Sequence, residues 1–287
     1  MDIAPGRGAF SIGLLMVQET ITNPLLTERQ RREREFYDQF AKSAPDTVCF
    51  GPIEGGERRP WNAHWTVHEA VLARFTSPSQ RILDFGCGPG LASVAYAKMG
   101  YDVFGFDLSP SNVAHATQLA RKYGVSHRTH FTVQTAESLT YPAEWFDVIA
   151  GLDILHHVDI SRAVAQCMRV LKPGGVALFA EPLEVPPFDA IRNTGLVRWL
   201  VPNHKSFDRH ITCDERKLTA ADLETIRQHS SHVSLRRFLV LSRLDRFIRP
   251  TERKTPSALE RLDYYLFRLF PPLEALGGYG VLTLTKD

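Results

Sequence analysis

The sequence predicts an α/β fold with a doubly wound, mostly parallel sheet covered by helices on both faces. From Arg81 onward, short β-type runs alternate with segments of helical periodicity, and glycines end the helices between them. Parallel strands need crossover connections of this kind, and the crossover helices cover the sheet. The rest of the chain is expected to add helical caps to this sheet.

Five strands and the helices between them follow in order. The predicted strands are Arg81–Phe85, Val103–Phe106, His130–Val133, Phe146–Ile149 and Val176–Ala180. The first helix ends at Gly100, and the second begins with Ser109 as N-cap and Pro110 as its first residue, and ends at Gly124. A third helix carries apolar residues at helical spacing, namely Val164, Cys167, Met168 and Leu171.

The second half of the chain is less regular and contains two insertions, at about 182–218 and 240–278. The elements predicted there are a helix around Ile191 to Leu200, a helix that begins with a capping box at Thr219, strands at Val233–Leu241 and Tyr279–Leu284, and between those strands an amphipathic helix within 257–270. That helix has an apolar stripe of Leu259, Leu262, Leu266 and Leu269. Such a stripe must be buried, so we expect it to roof a site or to form a dimer contact.

Composition and charge exclude several classes of protein. The 287 residues contain 44% hydrophobic and 23% charged residues, which is typical of a folded globular chain. The 34 basic and 32 acidic residues give a net charge of +2, so no overall field attracts nucleic acid or an anionic membrane. The longest apolar run is too short to span a bilayer. Four widely spaced cysteines form no disulfide framework, and we expect a cytoplasmic protein.

The N-terminal segment Ala9–Val17 is apolar and resembles the core of a secretion signal. Arg7 is its one preceding basic residue, however, and Gln18-Glu19-Thr20 follows in place of a small-residue cleavage site. We therefore expect a retained arm that packs on the body or on a second subunit. Residues 1–75 are predicted to form this arm and a helical cap, and residues 76–287 the main domain with its two lid insertions.

A glycine-rich loop after the first strand is the strongest functional signal. Gly86, Gly88 and Gly90 alternate along the loop, which permits a tight turn and a close approach of backbone to ligand. The helix that follows attracts a carboxylate or phosphate at its N-terminus. Asp107 ends the second strand, where an acid can accept both hydroxyls of a ribose. The dinucleotide fingerprint is G-x-G-x-x-G, and the spacing here departs from it.

The loop instead resembles the first motif of class I S-adenosylmethionine (SAM) methyltransferases, and four more motifs continue the resemblance. They are Phe106-Asp107-Leu108-Ser109, Thr135-Ala136-Glu137, the run from Phe146 to Val158, and Leu171-Lys172-Pro173-Gly174-Gly175. The pattern is most similar to the small-molecule type that includes ubiquinone and menaquinone methyltransferases. This resemblance implies a Rossmann-like sheet of seven strands with an antiparallel last strand.

The resemblance also implies a cofactor site for SAM, with S-adenosylhomocysteine (SAH) as product. The cofactor's amino-acid part would lie along Gly86 and Gly88, its ribose on Asp107, and its adenine between Leu108 and Ala136. The implied cofactor-binding residues are Tyr37, Gly86, Gly88, Gly90, Asp107, Leu108, Ala136, Glu137 and Leu152. Glu137 would lie near the exocyclic amine, and Tyr37 belongs to a segment, Phe36 to Ala41, that resembles a helix folded over the cofactor.

The candidate catalytic residues follow strands four and five, where ligands bind in open parallel sheets. We rank Glu181 and His156 first, then His157, with Asp153 also at this edge. Methyl transfer depends on alignment and exclusion of water, and a base helps when the acceptor must lose a proton. Alternatively the histidines cap the following helix and Glu181 pairs with an arginine.

The acceptor is expected to be a small and largely apolar metabolite (a natural product, an isoprenoid or a quinone-like molecule), methylated at carbon or oxygen. Aromatic residues outside the sheet support this expectation, namely Trp61, Trp65, Trp199, Phe207, Tyr264 and Tyr265. A cluster of His204, His210, Cys213 and Asp214 fits no zinc spacing, so no metal site is predicted. An NAD(P)-dependent oxidoreductase and a non-catalytic SAM-binding partner protein remain alternatives. We expect no nucleic-acid partner and allow a homo-oligomer through the N-terminal arm or the 257–270 helix.

Overall fold

The computed structural model describes residues 26–47, 58–74, 76–186, 216–230, 232–245 and 257–287. The strands in these residues are β1 (Arg81–Phe85), β2 (Asp102–Asp107), β3 (Thr129–Val133), β4 (Phe146–Leu152), β5 (Leu171–Pro182), β6 (His232–Phe238) and β7 (Tyr279–Thr285). The helices are α1 (Glu28–Phe40), α2 (Ala63–Leu72), α3 (Leu91–Lys98), α4 (Pro110–Lys122), α5 (Ile160–Val170), α6 (Ala220–Gln228) and α7 (Ala258–Leu269).

The strands form one sheet in the order β3-β2-β1-β4-β5-β7-β6. Strands β1 to β5 pair in parallel, whereas β7 pairs antiparallel with both β5 and β6. The order reverses at β1 and β4, which is the place where open α/β sheets bind ligands. The predicted doubly wound sheet with an antiparallel last strand is confirmed.

Two hydrophobic cores lie on opposite faces of the sheet. Ile82 belongs to a core with α2, α3 and α4, and the neighbouring Leu83 belongs to a core with α5 and α6. Adjacent residues of a strand point to opposite faces, so a strand covered on both sides is apolar throughout. The continuous apolar runs in the sequence arise from this double burial.

Local sequence signals explain most element boundaries. The Ser109 side chain accepts a hydrogen bond from the Asn112 N–H, and Pro110 is the first residue of α4. The capping box at Thr219 also forms. Strand β6 ends at Phe238, three residues before the predicted end, because Leu239 has a φ of +64° and leaves the extended conformation.

Helix α7 is amphipathic but does not bury the predicted leucine stripe. Leu262 is 45% exposed and Leu269 is 72% exposed. The buried residues of the helix are Glu260 and Asp263. The Asp263 carboxylate accepts hydrogen bonds from the Val240, Leu241 and Ser242 N–H groups and from the Ser242 hydroxyl. A buried carboxylate therefore anchors α7, and the stripe is exposed at Leu262 and Leu269 and half-buried at Leu259 and Leu266.

Three of the predicted features lie outside the described residues: the arm at Ala9–Val17, the helix from Ile191 to Leu200, and the cluster of His204, His210, Cys213 and Asp214. Within the described ranges, no helix is both long enough and apolar enough to cross a bilayer. The same ranges contain no group of three or more His, Cys, Asp or Glu side chains arranged to hold a metal ion.

Candidate active site

A cleft opens beyond the carboxyl ends of β1, β2 and β4. Its walls are the glycine loop after β1, the end of β2, the loop after β3, the end of β4 and one side of α1. The sequence-predicted site residues that line it are Tyr37, Gly86, Gly88, Asp107, Leu108, Ala136, Glu137, Leu152 and His157. Gly90, His156 and Glu181 do not belong to this lining.

The glycine loop is held in a left-handed conformation that other residues rarely adopt. Gly86, Gly88 and Gly90 have φ values of +75°, +50° and +83°. A Cβ on Gly86 would lie 2.7 Å from the Ile154 side chain, whereas a Cβ on Gly88 would meet nothing within 4 Å. A Cβ on Gly90 would lie 2.5 Å from the Cβ of Ala116. Gly88 therefore opens onto the cleft, and Gly90 permits close packing of the loop on α4.

Asp107 lies at the end of β2 with its carboxylate fixed by the backbone around it. Its Oδ2 accepts a hydrogen bond from the Gly88 N–H at 2.9 Å, and its Oδ1 accepts from the Ser109 N–H at 2.9 Å and from Asn112 Nδ2 at 3.1 Å. Burial raises the pKa of Asp107, although these three donors partly oppose the increase. The carboxylate is thus oriented toward the cleft and tied to the glycine loop.

The loop after β3 contributes one apolar wall and one acid. Ala136 is 3% exposed and lines the cleft together with Leu108. Glu137 also borders the cleft, but both of its carboxylate oxygens have protein donors. Oε2 accepts from Gln30 Nε2 and Oε1 accepts from the Asp159 N–H, each at 3.0 Å. In this structure Glu137 therefore joins α1 to the N-terminus of α5.

Helix α1 folds over the cleft and contacts the loops after β2 and β4. The Asp38 carboxylate accepts a hydrogen bond from the Ser109 hydroxyl. The His157 ring lies between two α1 side chains, with Nδ1 3.1 Å from an oxygen of Glu33 and Nε2 3.0 Å from the hydroxyl of Tyr37. Glu33 is only 3% exposed, so this contact is protected from water. The helix predicted around Phe36 to Ala41 belongs to α1, which caps the cleft, and the contacts of His157 with Glu33 and Tyr37 fix α1 in this position.

Glu181 and His156 lie behind the cleft wall as a buried pair. Glu181 Oε2 lies 2.7 Å from His156 Nδ1, and Oε1 accepts hydrogen bonds from the Ile154 and Leu155 N–H groups at 2.9 and 2.8 Å. Glu181 is 0% exposed and His156 is 3% exposed. These hydrogen bonds of Glu181 are all with the turn after β4. This geometry suits a residue that positions the cleft wall better than one that contacts a substrate.

A second group of polar side chains meets at the mouth of the cleft. Asp153, the first residue after β4, lines the cleft, and its Oδ2 is 3.1 Å from Nε2 of His64 on α2. The Tyr279 hydroxyl donates to Asp153 Oδ1 and lies 2.9 Å from the same His64 nitrogen. Asp153 has a φ of +54°, which is uncommon for a residue other than glycine and often marks a functional position.

Charge governs the protonation of this His64–Asp153–Tyr279 cluster. Loss of water around His64 opposes its protonation, but the Asp153 carboxylate outweighs this and raises the pKa of His64. The Asp153 side chain is 44% exposed; partial loss of water would raise its pKa, but the hydrogen bonds from His64 and Tyr279 outweigh this effect and lower it. Burial and the Asp153 charge raise the pKa of Tyr279 well above its ordinary value. The cluster therefore favours a carboxylate beside a readily protonated imidazole.

Sequence reasoning found Asp153 as a residue at the correct edge and missed its two partners. His64 belongs to no motif, and Tyr279 begins a strand, whereas all the candidate catalytic residues predicted from the sequence follow strands. The spacing of 215 residues between His64 and Tyr279 gives no local signal.

Comparison with known proteins agrees with the fold and the loop. Residues 83–179 match the family described as "Methyltransferase domain". The chain is 31% identical over 150 residues to a ubiquinone biosynthesis O-methyltransferase of Rhizobium leguminosarum bv. trifolii, which is 50% of this chain and 59% of the relative. It is 35% identical over 151 residues to the enzyme of the same name from Chelativorans sp., again 50% and 59%. The chain thus spans about six-tenths of the length of these curated relatives.

Two solved structures share the fold. One is the geranyl diphosphate C-methyltransferase of Streptomyces coelicolor A3(2), in complex with Mg²⁺, geranyl diphosphate and S-adenosyl-L-homocysteine; its TM-score is 0.54 at 13% identity, over 90% of this chain and 97% of that chain. The other is the [4+2]-cyclase SpnF, with a TM-score of 0.53 at 23% identity and the same coverage. Together with the sheet order and the glycine loop, these findings show that residues 83–179 are similar to a methyltransferase domain and that the chain shares the fold of these solved structures.

Proposed function

We propose that this protein is a SAM-dependent methyltransferase that methylates a carbon or an oxygen of a small, largely apolar metabolite. One observation carries the proposal: Asp107 is fixed at the cleft by the N–H of Gly88, beside a loop whose glycine backbone is open. An acid and an exposed glycine backbone at the switch point of an α/β sheet suit a ribose and a neighbouring charged group.

The residues around the cleft fit the cofactor from end to end. Asp107 Oδ2 accepts one hydrogen bond from the protein, from the Gly88 N–H, and can accept a ribose hydroxyl as well, and Gly88 has room for the amino-acid part of SAM. Leu108 and Ala136 would enclose the adenine, and Tyr37 would cover it from α1. Glu137 can accept from the adenine amine as well, because each of its oxygens accepts one hydrogen bond from the protein, from Gln30 and from Asp159, and keeps a second lone pair.

When bound, SAM supplies a methyl group on a positively charged sulfur. The protein must then align the acceptor with that methyl group and exclude water. Phe40, Ile154 and Val158 supply apolar lining, and α1 shields one side of the cleft. This lining supports an acceptor that is mostly apolar.

The three residues predicted to be catalytic have different surroundings, and we propose different roles for them. His157 lines the cleft but is engaged by Glu33 and Tyr37, so its role is to hold the cap. Glu181 and His156 are proposed to position the turn after β4 without touching the acceptor.

The two alternatives from the sequence are less well supported. An NAD(P)-dependent oxidoreductase would need the other glycine spacing, and the family match favours methyl transfer. A non-catalytic SAM-binding protein would bind SAH but release no methylated product. A cytoplasmic location stays part of the proposal, and the buried free thiols of Cys87 and Cys167 are compatible with it.

The test is calorimetric titration with SAH of the wild type, Asp107→Ala and the control Asp102→Ala, which alters an acid at the other end of β2. We expect Asp107→Ala to weaken SAH binding about 10- to 100-fold, the equivalent of one charge-assisted hydrogen bond. Asp102→Ala should bind SAH normally. If the folded Asp107→Ala protein binds SAH as tightly as the wild type does, Asp107 is not the ribose ligand. If the wild type binds NADH more tightly than SAH, the oxidoreductase alternative is favoured.

A further inference from the structure

The His64–Asp153–Tyr279 cluster has no role in holding the cofactor as proposed above. Asp153 lines the cleft, and His64 and Tyr279 contact its two carboxylate oxygens from α2 and β7. The Asp153 N–H donates to the Ala180 carbonyl at 2.9 Å, which holds the residue in its left-handed conformation. A strained acid with both oxygens oriented by partners is a common arrangement at sites of proton transfer.

The groups that surround His64 raise its pKa above the ordinary value of a histidine. Asp153 faces it from the turn after β4, Tyr279 from β7 and Glu181 from β5, and the charges of Asp153 and Glu181 both favour the protonated ring. His68, one turn further along α2, has its pKa lowered to about 4 by burial and by His64. His68 therefore stays neutral over the range in which His64 gains or loses its proton.

We propose that Asp153, backed by His64, accepts the proton of a phenolic hydroxyl that is methylated in the cleft. This inference rests on the proposed function and narrows it to O-methylation. The acceptor's oxygen–hydrogen bond breaks and its proton passes to the Asp153–His64 pair, where it comes to rest on His64 Nε2. The acceptor oxygen forms a bond to the methyl group as the methyl–sulfonium bond of SAM breaks, leaving SAH, an aryl methyl ether and a proton later released to water.

The chemistry of the pair selects a phenol over other acceptors. A phenol has a pKa of about 10, a few pH units above that of an imidazole, so the pair can remove its proton during transfer. An aliphatic alcohol is a far weaker acid. A hydrocarbon carbon offers no proton to a carboxylate before methylation. The apolar lining at Phe40, Ile154 and Val158 would hold the rest of the ring.

The experiment measures methyl transfer from SAM to decylcatechol and decylphenol, with decylbenzene as the acceptor that lacks a hydroxyl. The variants are Asp153→Asn, which keeps the shape and tolerates a positive φ, and His64→Gln. A matched control is His232→Gln together with Asp287→Asn, an exposed pair at 3.2 Å that joins the start of β6 to the residues after β7. SAH titration of every variant reports on the proposed function separately.

We expect ether products from the two phenols and none from decylbenzene. Asp153→Asn should lower kcat by about 10²- to 10⁴-fold, the usual range for loss of a base, with SAH affinity within about twofold of wild type. The wild-type rate should rise with pH through the pKa of His64, because the neutral ring is the active form, and His64→Gln should abolish this rise. The control pair should match the wild type in rate and pH profile.

Three results would overturn the inference. They are methylation at carbon, no ether from either phenol, and a kcat of Asp153→Asn within about threefold of wild type. If SAH still binds normally in those cases, the proposed methyltransferase function stands without this base. If Asp153 and His64 had only a structural role, their variants would change in stability or SAH affinity and would keep the pH dependence of the rate.

Discussion

Replacing Glu181 tests whether it positions the cleft wall or takes part in chemistry. Its carboxylate is fully buried and contacts three donors: the N–H groups of Ile154 and Leu155 and Nδ1 of His156. Glu181→Ala would leave all three without a partner in the interior. Removing one member of such a buried pair costs about 3–5 kcal/mol of unfolding free energy. Glu181→Gln keeps an oxygen for the two backbone groups and should cost about 0.5–1.5 kcal/mol.

The two variants should also differ in function. The turn that Glu181 holds includes Asp153 and Ile154, which line the cleft, so Glu181→Ala should weaken SAH binding as well as stability. Glu181→Gln keeps the turn in place and should retain SAH affinity and kcat within about threefold. Urea unfolding, SAH titration and initial rates on the same preparations measure these effects. Asp263→Ala is a matched control, because it removes an equally buried carboxylate with backbone donors but lies on α7.

If Glu181 acts as a catalytic base, the Glu181→Gln variant should lose activity although its fold and SAH affinity are kept. Glu181→Gln would then fold, bind SAH and lose about 10²- to 10⁴-fold in kcat. That result would refute the positioning role and restore the assignment made from sequence. If Glu181→Ala lowers the free energy of unfolding by less than about 1 kcal/mol, the estimated cost of leaving its three donors without a partner is refuted as well.

Two further predictions concern packing and assembly. Gly90→Ala should destabilise the fold by more than about 1 kcal/mol in urea unfolding, because the new Cβ would lie 2.5 Å from Ala116 in a left-handed residue; unchanged stability would contradict the close packing. Replacing Leu262 and Leu266 with Ser tests the leucine stripe. The described part of α7 lines no part of the cleft, so we expect a changed sedimentation coefficient with acceptor KM unchanged, whereas a raised KM would support the lid predicted from sequence.

Much of the fold follows from local signals in the sequence. Buried strands with glycine-ended helices between them specify the sheet, and Ser109 and Thr219 fix two helix starts through caps that need only neighbouring residues. The cofactor side of the cleft is similarly local, since the glycine loop and Asp107 belong to one β-α-β unit. The exposure of Leu262 and Leu269 on α7 could not be predicted. Periodicity shows which residues share an apolar face, but it does not show that the buried Asp263 would anchor the helix.

Glu181 marks a limit of position-based reasoning about sites. The sequence placed it correctly near the end of β5, at the edge where ligands bind. The direction of its side chain depends on the turn after β4, whose free N–H groups it satisfies. A buried backbone donor needs a partner, and the Glu181 carboxylate supplies one here, which supports the proposed positioning role.

The antiparallel strand explains why the Asp153 cluster escaped prediction. In a parallel sheet the residues at the ligand edge are those that follow strands, and a search restricted to them finds Asp153 after β4. Because β7 runs the opposite way, its first residue lies at that edge, and Tyr279 pairs with Pro182 at the end of β5. His64 lies in the first turn of α2, which packs across β5 and β7. Where a mostly parallel sheet contains an antiparallel strand, the residues that begin that strand must be considered together with those that end its neighbours.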